Sequence, residues 1–98
     1  MVASRFIDEL RVSAGAEDEL ARHGVDPDDV LDVLWDHPYF CRDKVADRKQ
    51  MIGKTIGGRL LTIIIEQTGE QHVWDVVTGW PADKGEQTLW EKQRPRTG

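Results

Sequence analysis

The stretch Arg59–Trp80, RLLTIIIEQTGEQHVWDVVTGW, decides the fold. Leu60 to Ile65 is a dense, β-branched run with the length and composition of a central strand covered on at least one face. His72 to Trp80 reads as a second strand, and Thr68-Gly69-Glu70 supplies the hairpin turn between them. Upstream, Gly57-Gly58 marks another turn, across which RKQMIGKT, Arg48 to Thr55, pairs as a third and cation-rich strand.

On either side of this region the pattern turns helical. Ser13 is placed to cap a helix over roughly 14 to 22, anchored by Leu20 and Ala21 and stopped at Gly24. Asp26-Pro27-Asp28-Asp29 writes a second helix start, with Asp26 as cap, proline at the first helical position and acids in the first turn. Val30, Val33 and Leu34, with Leu31 and Trp35, give that helix an apolar stripe, and Pro38 follows its end. Pro81 opens a C-terminal helix over Asp83 to Gln93 that packs through Leu89 and Trp90. The order predicts a two-layer α+β fold: two N-terminal helices, an antiparallel sheet of three or four strands, and a C-terminal helix. Residues 1–98 form one domain, with residues 94–98 expected to be disordered.

Glu19 to Leu34, ELARHGVDPDDVLDVL, also has the outline of a DNA-reading helix-turn-helix. Its charge argues against that use. From His23 through Cys41 there is no Lys or Arg, while five aspartates fall in that span. Affinity for DNA comes mainly from cations that displace counterions, so direct DNA binding is not expected. The helix pair is expected to lay its apolar stripe, through Val30, Val33 and Leu34, on Leu60 to Ile65.

Composition narrows the class further. At 39% apolar and 32% charged residues the chain is ordinary globular material, and Leu60–Ile65 is far short of the roughly 20 apolar residues of a membrane span. No secretory h-region is visible, and one cysteine allows no internal disulfide, so the expected location is cytoplasmic. Charge is divided unevenly. Residues 1 to 40 carry three arginines against ten acids, whereas six cations (Arg42, Lys44, Arg48, Lys49, Lys54 and Arg59) face only Asp43 and Asp47 between Arg42 and Arg59. A polyanion would be met there.

HGVDPDDVLDVL, then RKQMIGKTIGGRLLTIII and VVTGWPADKGEQTLW, taken in order over roughly residues 18 to 92, resemble the BrnT-like toxins of the RelE-like ribonuclease superfamily. The resemblance implies the toxin of a type II toxin–antitoxin pair. Such a toxin cuts RNA without a metal or other cofactor and is held inactive by a DNA-binding antitoxin. Two positions depart from the family pattern. Trp80 stands in Thr78-Gly79-Trp80 where the pattern has an arginine, and Trp90 stands where it has a tyrosine. An indole neither stabilises phosphate charge nor acts as a phenolic proton donor.

Metal-free RNA cleavage needs a base for the 2′-hydroxyl and cations for the charge that builds on phosphorus oxygens. Arg48, Lys54 and Arg59 match the family's basic positions and are expected to converge on one phosphate. The best candidate base is His72 or a lysine of depressed pKa. Lys49, with Trp74 and Trp80 as exposed stacking platforms, would bind RNA, and Trp80 and Trp90 are candidate anchors for the antitoxin. Trp35 and Trp90 are expected to be core residues of their helices, and Cys41 a small buried one. The histidines and Cys41 lack the paired spacing of zinc ligands, and no metal site is expected. Two functional readings stay open beside a minor DNA-binding one. The first is an endoribonuclease; the second is an interaction module of the same fold, weakened catalytically at Trp80 and Trp90, whose activity is binding an antitoxin-like partner.

Overall fold

A computed structural model describes residues 7–35, 39–45 and 47–93 of the chain; His37, Pro38 and the expected disorder of 94–98 lie outside them. The elements run β1 (Glu9–Arg11), α1 (Ala14–Ala21), α2 (Pro27–Trp35), β2 (Phe40–Asp43), β3 (Arg48–Lys54), β4 (Leu60–Gln67), β5 (Val73–Pro81) and α3 (Lys84–Gln93). They build one sheet in the order β1-β5-β4-β3-β2. The α+β class and the central place of Leu60–Ile65 hold. The sheet, however, has five strands and is mixed, because β1 pairs in parallel with the start of β5, Glu9 opposite Val73 and Arg11 opposite Asp75.

Alternation along β4 sorts its side chains onto two covered faces. On one face Leu61, Ile63 and Ile65 join Met51, Trp74, Val76 and the helix residues Leu20, Val25, Val30, Val33 and Leu34 in the main core. Close approach is built in here. A Cβ at Gly53 would lie 2.9 Å from Val33 Cγ1, and one at Gly79 would lie 2.9 Å from Ile63 Cδ1. On the other face Gln50, Ile52, Thr62 and Ile64 are also buried, because α3 packs against β3 and β2 there. The second face is thus covered too, and the two-layer expectation gives way to helices on both sides.

The helix ends follow from local chemistry. Ser13 Oγ accepts from Ala16 N–H at 3.1 Å, and α1 ends before Gly24 at φ +73°. At α2 the capping carboxylate is Asp29, which accepts the Asp26 N–H at 3.1 Å. At α3 Asp83 and Glu86 cap reciprocally, Glu86 N–H donating to Asp83 Oδ1 at 2.8 Å and Asp83 N–H to Glu86 Oε1 at 3.0 Å. Pro81 closes β5 and does not open this helix.

Three burial expectations are corrected. Trp35 is 58% exposed, because it shares the outer arc of α2 with Asp28 and Asp32, one to two positions away from the inward pair Val33 and Leu34. Trp74 is buried at 7%, since it alternates in phase with the core residue Val76. Cys41 is exposed on β2, an edge strand that only β3 pairs, although local burial still raises its thiol pKa against the opposing pull of Lys49.

Candidate functional site

β3 runs from Arg48, opposite Glu66, to Lys54, opposite Leu60. Six residue steps at about 3.3 Å each separate the Cα atoms of those two residues by about 20 Å. The cations expected to meet at one phosphate therefore stand at opposite ends of the sheet, Arg48 at the end that holds His72, and Lys54 and Arg59 at the other.

At the Arg59 end the cations are engaged. Lys54 Nζ lies 5.5 Å from the centre of the Trp90 ring, a cation–π distance, and Trp90 itself is buried at 5%. Arg59 donates to the Gly24 carbonyl at 3.1 Å and pairs with Asp29 at 3.4 Å, so it fastens the β3–β4 turn to the turn between α1 and α2. Trp80, half-buried, stands opposite Thr62 on β4, well away from Arg48. Its indole N–H donates to Glu86 Oε1 at 3.1 Å. Gln50 donates to the same carboxylate at 3.2 Å and accepts from Arg42 at 2.7 Å. His23 lies edge-on to Trp80, with ring centres 6.3 Å apart.

The His72 end gathers the other candidates. Lys49, Gln67, Gln71, His72 and Trp74 line a pocket of about 200 Å³. A second hollow of about 260 Å³ adjoins it through Lys49, Gln67 and Trp74 and is walled by Asp43, Lys44, Asp47 and Arg48. The turn from β2 to β3 sets this wall, closed by Lys44 N–H on the Arg48 carbonyl at 2.9 Å and Arg48 N–H on the Val45 carbonyl at 3.2 Å. Lys49 is held by Asp43, and its ammonium lies 5.6 Å from the centre of the Trp74 ring. Trp74 is therefore the floor of the pocket and not the open stacking platform expected from the sequence. Arg48 is only loosely paired, 4.0 Å from Glu66.

His72 occupies the left-handed region at φ +67°, which histidine adopts more readily than most non-glycine residues. Its carbonyl accepts the N–H groups of Asp8 and Glu9 at 2.9 and 3.2 Å. That anchor brings Asp8 Oδ2 to 3.1 Å from His72 Nδ1. An ionised carboxylate only accepts, so the neutral imidazole carries its proton on Nδ1 and presents Nε2 as the basic nitrogen. Asp8 escapes a reading of the sequence because its role depends on a strand of three residues pairing with one 64 positions further on.

The Brucella abortus ribonuclease toxin BrnT, known from its crystal structure, matches this chain with a TM-score of 0.62, over 78% of this chain and 97% of that one, at 20% sequence identity. The fold is BrnT-like. No protein-family profile and no curated protein sequence matches the chain. Among the described residues, no helix is long and apolar enough to cross a membrane.

Proposed function

We propose that the chain is the toxin of a toxin–antitoxin pair and cuts RNA without a metal, with its reactive centre at the His72 end. The observation that carries the reading is the Asp8–His72 pair beside the Lys49 pocket on a ribonuclease-toxin fold. His72 Nε2 takes the 2′-hydroxyl proton while Asp8 holds the ring and offsets the charge of the imidazolium. The 2′-oxygen then bonds to phosphorus, the 5′-oxygen leaves and takes a proton from water, and a cyclic phosphate remains. Lys49 and Arg48 stabilise the charge that builds on the phosphoryl oxygens. Lys54 and Arg59 lie too far away to touch the same phosphate.

One observation favours the interaction-module reading. The Arg59 end, where the family resemblance expects catalytic cations, has Trp80 tied to Glu86 and both cations engaged. The two readings separate in one assay, cleavage of a structured RNA in the presence of a metal chelator. The expected result is cleavage by the wild type, a loss of roughly 10²–10⁴-fold in His72→Ala, a smaller loss in Asp8→Asn, and little change in Arg59→Ala. Cleavage lost in Arg59→Ala and kept in His72→Ala would move the centre to the other end of the sheet. A folded wild type that cuts nothing, yet binds the product of an adjacent antitoxin-like reading frame, would establish the interaction module.

A further inference from the structure

Four large hydrophobic side chains are exposed among the described residues, and three of them, Leu31 at 41%, Trp35 at 58% and Ile56 at 73%, lie together. Leu31 and Trp35 are one turn apart on the outer arc of α2. Ile56, in the turn after β3, is drawn to the same place because its N–H donates to Asp32 Oδ2 at 3.2 Å. Single exposed apolar residues are ordinary on protein surfaces, whereas a contiguous group on one helix face marks a contact surface.

The rim of this patch selects what covers it. Asp28 and Asp32 share the arc with Leu31 and Trp35 at helical spacing, and no Lys or Arg occurs from His23 through Cys41. Among the described residues neither Asp28 nor Asp32 forms an ion pair; Arg59, which reaches α2, is spent on Asp29. An apolar strip edged by unneutralised carboxylates repels RNA, DNA and anionic lipid headgroups alike. A second copy of this chain would set one acidic rim against another. What remains is a protein segment that brings both apolar side chains and cations.

We infer that the outer face of α2, with Leu31, Trp35 and Ile56 as its apolar centre and Asp28 and Asp32 as its rim, docks a basic amphipathic helix of a partner protein. The surface is separate from the His72 pocket, and the inference does not need the chain to cleave RNA. Leu and aromatic side chains one turn apart on the incoming helix would pack on Trp35 and Leu31, and its lysines or arginines would face Asp28 and Asp32.

The test uses the whole chain and a labelled synthetic helix of about 18 residues, leucine on one face and lysine on the other, followed by fluorescence anisotropy. A second peptide has glutamate in place of each lysine. The lysine peptide is expected to bind, to weaken as salt is raised, and to lose roughly tenfold or more in affinity to Trp35→Ser and to Asp28→Lys. The glutamate peptide is expected not to bind. Both substitutions fall on exposed positions, and unchanged thermal unfolding shows that the variants are folded. Equal binding of the lysine peptide by wild type and variants would overturn the inference, as would equal binding of both peptides. Two further outcomes would replace the occupant and overturn it equally: a wild-type dimer in sedimentation that Trp35→Ser dissolves, or binding to phosphatidylglycerol vesicles that Trp35→Ser abolishes.

Discussion

Replacing Gly79 by alanine tests how tightly α1 is seated on β5. The added methyl would lie 2.9 Å from Ile63 Cδ1, 3.1 Å from Leu20 Cδ2 and 3.1 Å from the Thr62 carbonyl oxygen. Two of these neighbours are flexible side-chain ends, but Leu20 and Ile63 are both fully buried, so neither has free space to move into, and the carbonyl belongs to the backbone of the central strand. Overpacking of this kind costs about 1–3 kcal/mol. Against it stands a gain of about 0.4–1 kcal/mol from the reduced freedom of the unfolded chain. A net loss of about 1 kcal/mol lowers the melting temperature of a domain this size by roughly 4–8 °C. The decisive measurement is a double-mutant cycle by calorimetry. Ile63→Val removes the atom at 2.9 Å and alone costs about 0.5–1.5 kcal/mol, and in that background Gly79→Ala should cost clearly less than in the wild type. Additive effects, or a higher melting temperature for Gly79→Ala alone, would show that the helix can shift outward freely and that the close approach is not a constraint.

Thr62 is fully buried and its hydroxyl oxygen has no hydrogen-bond partner among the described residues, so Thr62→Val should raise stability by about 1 kcal/mol, read as a higher denaturant midpoint. Thr78 should make stability depend on pH. Its hydroxyl donates to Glu19 Oε2 at 3.0 Å and holds the Glu19 carboxyl below its ordinary value, with His23 and Arg22 assisting. A depressed folded value means that the contribution is present above the unfolded carboxyl range and is lost as pH falls through the folded one. The gap in melting temperature between wild type and Thr78→Val should therefore be present at neutral pH and close in acid; a gap that persists unchanged would refute the link.

The strands and helices that signal themselves locally are legible in the sequence. Leu60–Ile65 is too β-branched to be read otherwise, and Ser13, Pro27 and Gly24 punctuate the helices with chemistry that needs no tertiary context. β1 and β2 are not legible, since three or four residues carry no period. The candidate site divides in the same way. Arg48, Lys49 and His72 stand out by charge and type, but a list of cations does not say that seven residues of extended chain hold Arg48 and Lys54 about 20 Å apart. The length of the strand contains that information once Arg48 to Lys54 is taken as continuous. Trp74 and Trp35 are likewise misjudged until phase is followed, Trp74 with Val76 along the strand and Trp35 with Asp28 and Asp32 around the helix.

The pairing of β1 with β5 has a consequence for the order in which the protein is made. The carboxylate and the imidazole of the proposed dyad are separated by 64 positions, and the strand that follows Asp8 pairs with the strand that begins at Val73. Contacts of such sequence separation form late, because the intervening chain must first be ordered. A nascent chain still short of β5 has Arg48 and Lys49 but no completed dyad, so the proposed centre can be assembled only after β5 has been made.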